Sequence, residues 1–130
     1  MNIRIDHIAV YCIDLEAMRS FFVNHFVCRA NDLYHNPKTG LRTYFLTFPD
    51  GETRLEIMSR PERGAIADSV SKSACMHVAI AVGSRDNVVE KTRDLTDCGY
   101  KCVSSPRVTG DGYFESVVAG PEDIVLEITV

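Results

Sequence analysis

The feature that most constrains this chain is that its second half repeats its first. Residues 6–10 (DHIAV) return as residues 76–80 (MHVAI), and residues 55–57 (LEI) return as residues 126–128 (LEI). Each half therefore opens and closes on a matching motif. Such a repeat indicates two copies of one supersecondary unit, which places the chain in a small set of folds.

The length fits a single domain built from these two copies, since 130 residues is about one domain. We predict a first module over residues 1–59 and a second over residues 75–130. Residues 60–74 between them are rich in Gly, Ala and Ser, a composition that is typical of a linker.

Both halves show the same order of predicted elements, which is a strand, a helix and three further strands. The helices are predicted to begin after Asp14 and Ser84, which are favourable N-cap residues, and Gly99 is predicted to end the second helix. The pattern is βαβββ twice, an α+β fold. The predicted strands are 3–11, 28–34, 42–48 and 53–58 in the first half, and 75–82, 100–104, 113–118 and 124–129 in the second.

Strand parity selects four polar residues. Because side chains alternate between the two faces of a strand, Leu55 and Ile57 share one face and Glu56 points to the other. The same holds for Glu127, and His7 and His77 lie opposite the branched apolar residues of their strands. If equivalent faces of the modules turn inward, four side chains converge: His7, Glu56, His77 and Glu127.

Two imidazoles and two carboxylates form a suitable ligand set for a divalent transition metal such as Zn²⁺, Ni²⁺, Co²⁺, Mn²⁺ or Fe²⁺. A single His on a strand is more often a hydrogen-bonded structural residue, and a single Glu is more often solvated. The occurrence of both at equivalent positions in both halves favours the metal site.

These motifs, in this order and within an internal repeat, resemble the vicinal oxygen chelate superfamily, which comprises glyoxalases, bleomycin-resistance proteins and extradiol dioxygenases. The resemblance extends over essentially the whole chain. It implies two βαβββ modules that form a half-open, barrel-like sheet around a metal, and it implies a homodimer.

Within this superfamily the four metal positions fall on His7, Glu56, His77 and Glu127, and the order His, Glu, His, Glu resembles bacterial glyoxalase I (lactoylglutathione lyase). The resemblance implies a metalloenzyme that transfers a proton through a metal-stabilised enediolate of a small oxygenated substrate, such as a methylglyoxal–thiol hemithioacetal. Glu127 is then the expected base and acid, with Glu56 as its partner.

The chain departs from bacterial glyoxalase I at two positions used there for glutathione, which hold Tyr11 and Arg60 here. Arg60, Arg107 and Tyr113 are candidate substrate contacts. Solvation of the arginines and packing of the tyrosine are the alternatives. Tyr113 is also matched to Tyr44 as its counterpart in the repeat.

Two other functions known in the superfamily remain open. One is a metal-free binding protein of the bleomycin-resistance type, although such proteins generally lack the complete set of four ligands. The other is an iron-dependent dioxygenase that uses His7, His77 and Glu127 as a facial triad. A carboxylate at Glu56 argues against the second alternative.

Composition limits the partners and the compartment. The net charge of −4 argues against binding to nucleic acid or to an anionic membrane, and no apolar stretch approaches the length of a membrane span. The five cysteines are odd in number and show no CxxC spacing, which favours reduced thiols and a cytoplasmic location. We expect a small-molecule substrate as the principal partner.

Overall fold

A computed structural model describes residues 1–61 and 77–130 of the chain. The chain divides into two compact units, Met1–Ala74 and Cys75–Val130. The predicted linker falls outside the described residues apart from Arg60 and Pro61, and so do Cys75 and Met76 of the predicted strand 75–82.

The first unit contains one helix and a mixed sheet in the order β1-β5-β4-β2, in which β3 pairs with β4. Strand β1 runs parallel to β5, and the other pairs are antiparallel. Its elements are β1 (His7–Tyr11), α1 (Leu15–Phe26), β2 (Arg29–Ala30), β3 (Tyr34–His35), β4 (Arg42–Thr47) and β5 (Arg54–Ser59).

The second unit repeats this plan with a four-stranded sheet in the order β6-β9-β8-β7. Strand β6 runs parallel to β9, as β1 does to β5. Its elements are β6 (Val78–Ala81), α2 (Arg85–Asp97), β7 (Lys101–Val108), β8 (Phe114–Ala119), a 3₁₀ turn (Pro121–Asp123) and β9 (Val125–Thr129). The predicted α+β class and the two βαβββ modules are therefore confirmed.

Helix starts follow the predicted capping chemistry. The Asp14 carboxylate accepts a hydrogen bond of 2.9 Å from the Ala17 amide, and the Ser84 hydroxyl accepts one of 3.1 Å from the Asn87 amide. Each cap satisfies an amide that the first helical turn leaves free. Gly99, with φ +95°, follows the second helix as predicted.

One face of each sheet is buried under its helix. In the first unit α1 packs on β4 and β5, and in the second α2 packs on β7, β8 and β9. This burial fixes which side chains of β5 and β9 face the core and which remain on the other face. The buried apolar residues include Met18, Phe22, Leu46, Leu55 and Ile57 in the first unit, and Val88, Leu95, Val118, Leu126 and Ile128 in the second.

Three predicted strands differ from the structure. The first begins at His7 rather than Ile3, and Ile3 is 82% exposed. Strand 28–34 is divided into β2 and β3, because the Asn31 side chain accepts a hydrogen bond from the Phe45 amide. The strand predicted to end at residue 104 continues to Val108. The pairing of β7 with β8 shifts its register between Ser104 and Arg107, on either side of Pro106, and β7 lies at the sheet edge, where a proline is tolerated.

Candidate functional site

The first predicted donor pair forms within the first unit. Ala9 lies beside Glu56 in the parallel pair β1–β5, and His7 precedes Ala9 by two residues on the same face. Nε2 of His7 lies 3.5 Å from Oε2 of Glu56, and the two side chains are 40% and 15% exposed. The imidazole and the carboxylate therefore meet on the face of the sheet away from α1.

The second pair has the same construction. Ala79 lies beside Glu127 in the parallel pair β6–β9, and His77 stands two residues before Ala79. Nε2 of His77 lies 3.2 Å from Oε2 of Glu127, and these side chains are 46% and 22% exposed. The repeat therefore reproduces the distance between the donors as well as the fold.

These distances fit donor atoms that share one cation. Two donors about 2.1 Å from a metal stand about 3.0 Å apart at a right angle and about 3.4 Å apart at the tetrahedral angle. Protein metal sites use three or four such donors. Within either unit the described residues contain no group of three His, Cys, Asp or Glu side chains that could hold an ion. Each unit thus contains two of the four predicted donors.

Asp6 contacts the other ring nitrogen of His7. Its Oδ2 lies 2.9 Å from Nδ1 of His7, and the Arg54 guanidinium donates to the same oxygen. The hydrogen bonds from His7 and Arg54 lower the pKa of the Asp6 carboxyl below its ordinary value. Asp6 is therefore ionised at neutral pH and accepts hydrogen bonds only.

Phe45 packs beside this group. Its ring meets the His7 ring edge to face at 5.1 Å and 89°, and the Arg54 guanidinium lies 4.4 Å above its centroid. Phe45 is the strand partner of Glu56. In the second sheet Val117 is the partner of Glu127, and Val125 precedes Glu127 as Arg54 precedes Glu56. The two donor pairs therefore have different neighbours.

Arg60 lies just beyond β5 and lines a cleft of about 420 Å³ together with Cys12, Ser59 and Arg42, among others. Neither His7 nor Glu56 lines this cleft. Nε of Arg60 is buried and has no hydrogen-bond partner within the described part of the chain. A buried N–H without a partner is a favourable place for an anionic oxygen.

Arg107 shares a sheet face with Glu127. It pairs with Glu115 on β8, which in turn pairs with Thr129, two residues beyond Glu127 on β9. Because neighbouring strands lie about 4.8 Å apart, two strand spacings place the Cα of Arg107 about 10 Å across the sheet from β9. This position is compatible with contact to a ligand held at Glu127.

Tyr113 is 57% exposed in the turn before β8, where its amide bonds to the Thr109 hydroxyl. The match of Tyr113 to Tyr44 is wrong. Tyr44 pairs with Ile57, whereas the equivalent Ile128 pairs with Ser116. Both Tyr44 and Ser116 bond to their helices, Tyr44 to Glu16 and Ser116 to Thr92.

Asp6, Arg54 and Phe45 are site residues that the sequence analysis missed. A signal for two of them was present, because Asp6 directly precedes His7 and Arg54 shares the strand parity of Glu56. A charged residue near a strand end usually indicates a solvated surface. Their role emerges only from the pairing of β1 with β5.

The chain thus consists of two βαβββ units. Each unit carries a His–Glu pair on the sheet face away from its helix. Residues 6–115 match the model of the Glyoxalase/Bleomycin resistance protein/Dioxygenase superfamily. The chain belongs to this superfamily, which confirms the resemblance.

Solved structures with the same fold agree with this assignment. A glyoxalase family protein from Enterococcus faecalis is 20% identical with a TM-score of 0.75, over 98% of this chain and 97% of that one. A possible glyoxalase from Bacillus cereus is 18% identical with a TM-score of 0.72, over 99% and 100%. Glyoxalase I from Zea mays is 18% identical with a TM-score of 0.75, over 97% of this chain and 44% of that one. A sequence comparison with curated proteins gives no match.

Proposed function

We propose that the protein is a metal-dependent lyase or isomerase of the glyoxalase I type. The observation that carries the proposal is the repeated His–Glu pair, with donor atoms 3.5 Å and 3.2 Å apart. His7, Glu56, His77 and Glu127 hold one divalent ion, either from one chain or from two copies of it. Nitrogen and carboxylate donors without thiolate suit Zn²⁺, Ni²⁺, Co²⁺, Mn²⁺ or Fe²⁺.

The reaction is a proton transfer between adjacent carbons. The metal, when bound, supplies positive charge beside the oxygens on which negative charge develops. Glu127 accepts the proton from the carbon that bears the hydroxyl group and returns it to the neighbouring carbonyl carbon, and the hydroxyl proton passes to the former carbonyl oxygen. The substrate is isomerised, so no oxidant or reductant is needed.

Glu127 is assigned as the base because its surroundings restrain it less. The Glu127 side chain is 22% exposed and that of Glu56 is 15% exposed. Glu56 has Phe45 as its strand partner, with the Arg54 guanidinium over the Phe45 ring, whereas Glu127 has Val117. A carboxylate that would both face a metal and take a proton benefits from this freedom.

The substrate is a small oxygenated compound with an acidic C–H beside a carbonyl group. Arg60 and Arg107 offer guanidinium groups to a carboxylate or phosphate, and Tyr113 offers a hydroxyl. Tyr11 and Arg60 replace the residues that bacterial glyoxalase I uses for glutathione, so another thiol, or none, is the expected carrier.

We further propose that the protein works as a homodimer in the cytoplasm. The superfamily relationship supports the dimer. Among the described cysteines, Cys28, Cys98 and Cys102 are free thiols, which fits a reducing compartment. None of the helices in the described residues is long and apolar enough to cross a membrane.

Anaerobic purification, elemental analysis and an assay with methylglyoxal and a panel of thiols test this function. We expect about one divalent ion per chain, since each chain carries four proposed ligands. Turnover should disappear with a chelator and return with added metal. A protein that binds no divalent ion would overturn the proposal and favour a metal-free binding protein. Oxygen-dependent ring cleavage with Fe²⁺ alone would favour a dioxygenase.

A further inference from the structure

The contact between Asp6 and His7 determines which ring nitrogen of His7 can bind a metal. An ionised carboxylate has acceptors only, so Nδ1 of His7 must carry the hydrogen that bridges the 2.9 Å to Asp6. In the neutral imidazole the lone pair then lies on Nε2. Nε2 is the atom that faces Glu56 at 3.5 Å.

Asp6 is itself held in place. Its side chain is 53% exposed, and such a carboxylate would ordinarily exchange its partners for water. Here the Arg54 guanidinium donates to the oxygen that also contacts His7, and the Phe45 ring packs against both His7 and Arg54. The carboxylate is therefore restrained between a cation and the imidazole.

We propose that Asp6 is a positioning residue that fixes His7 as the Nδ1–H tautomer and keeps Nε2 free to bind a metal. The consequence for metal affinity rests on the proposed function, whereas the tautomer itself is a property of the metal-free protein. Carboxylates that accept from the second nitrogen of a metal-binding His typically change metal affinity by about 10-fold to 100-fold.

The second half of the chain provides an internal comparison. Met76 stands before His77 in the sequence where Asp6 stands before His7, and a methionine provides no carboxylate. Val125 and Val117 take the places of Arg54 and Phe45. A change at Asp6 should therefore alter the tautomer of His7 and leave that of His77 unchanged.

The first experiment uses ¹⁵N-histidine-labelled, metal-free protein at about pH 8, where a free imidazole is neutral. The variants are Asp6→Asn and Asp6→Ala, with Glu52→Gln as a matched control that removes a nearby exposed carboxylate paired with Arg4. We expect wild type and the control to show His7 as Nδ1–H. Because Arg54 and His7 contact the same oxygen of Asp6, the amide oxygen of Asp6→Asn can take that place and keep His7 as Nδ1–H, with a neutral acceptor instead of an anionic one. In Asp6→Ala the Nδ1–H preference is lost.

The second experiment measures Zn²⁺ or Ni²⁺ affinity of the same proteins by competition with a chelator. We expect binding to weaken by about 10-fold to 100-fold in Asp6→Ala and by less in Asp6→Asn, with the control within about twofold of wild type. Tight metal binding in wild type with an unchanged His7 tautomer in Asp6→Ala would overturn the positioning role and leave the proposed function intact. If the His7 tautomer changes in Asp6→Ala but the wild-type protein binds no metal, the positioning role is supported and the proposed function is overturned.

Discussion

Glu56 and Glu127 occupy equivalent positions in the two sheets, each beside an alanine of a parallel edge strand. Glu56 pairs with Ala9, and Glu127 pairs with Ala79. In both strands the residues on either side of the glutamate point to the opposite face and are buried under the helix. The small alanine leaves space beside each carboxylate, so the repeat carries the donor pair together with room for a ligand.

The two glutamates should nevertheless differ in function. We expect Glu56→Gln and Glu127→Gln both to weaken metal binding, because each replaces an anionic donor by a neutral amide. With the metal site saturated, Glu127→Gln should still lose about 10²-fold to 10⁴-fold in kcat, the usual effect of removing a general base. Glu56→Gln should recover most of its turnover. Steady-state kinetics over a range of metal concentrations measures the difference.

Glu115→Gln is the matched control for that comparison, since Glu115 lies on the strand next to β9 and pairs with Thr129. It should retain both metal and turnover. If Glu127→Gln turns over at the wild-type rate once it is loaded with metal, the base is a different group.

The buried hydroxyl groups of Thr92 and Ser116 should show a strong coupling in the free energy of unfolding when both are replaced. The Thr92 hydroxyl donates to the Val88 carbonyl at 2.6 Å, so it must accept from Ser116, whose Oγ lies 2.6 Å away and is fully buried. Thr92→Val leaves the Ser116 hydroxyl without that partner and should lower the free energy of unfolding by about 1–3 kcal/mol.

Ser116→Ala leaves the Thr92 bond to Val88 in place and should be less destabilising. The double variant should be more stable than the sum of the two single losses implies, because no buried hydroxyl is left unpaired. Urea unfolding of the four proteins measures the coupling free energy. Strict additivity would show that the two hydroxyls do not depend on each other.

The His–Glu contact within each unit could be predicted from sequence because two local rules sufficed. Alternation along a strand separated Glu56 from Leu55 and Ile57, and the repeat supplied an independent second instance at Glu127. The structure confirms the fold class that followed from the same two rules.

The contacts around His7 could not be predicted in the same way. Arg54 reaches Asp6 only because β1 and β5 pair in one particular register, which brings together residues far apart in the sequence. The error at Tyr113 has a related cause. Matching the halves by residue identity placed Tyr113 opposite Tyr44, whereas the strand pairing places Ser116 there.

The hydrogen bond from Tyr44 to Glu16 should make the free energy of unfolding fall at alkaline pH. The Tyr44 hydroxyl donates a hydrogen bond of 2.8 Å to Glu16, and this bond raises the pKa of Tyr44 above its ordinary value of 10.0. Because the folded state holds the proton more tightly than the unfolded state, this contribution is complete below about pH 10. It is lost as the pH rises towards the pKa of the folded state.

Tyr44→Phe should therefore lower the free energy of unfolding by about 1 kcal/mol at neutral pH. Above about pH 10 its free energy of unfolding should fall less steeply than that of wild type. Unfolding by urea at several pH values measures both effects. Tyr34→Phe is the matched control, because Tyr34 is 53% exposed, and it should leave the alkaline profile unchanged. Identical alkaline profiles for Tyr44→Phe and wild type would show that the Glu16 bond does not control this fall.

Gly40 and Gly112 provide a test of how the loop before β4 fits against Pro61. Both glycines have positive φ, +72° and +92°, so an alanine at either position should cost about 1 kcal/mol through the left-handed backbone alone. A Cβ at Gly40 would also lie 2.8 Å from Cγ and Cδ of Pro61, whereas a Cβ at Gly112 would meet nothing within 4 Å. A proline ring cannot turn aside as a flexible side chain can.

We therefore expect Gly40→Ala to lower the free energy of unfolding by clearly more than Gly112→Ala, and Gly40→Ala combined with Pro61→Ala to recover the difference. Equal losses of unfolding free energy in the two single variants would mean that the chain at Pro61 moves away without an energetic cost. The contact between Gly40 and Pro61 would then not fix this side of the cleft lined by Arg60.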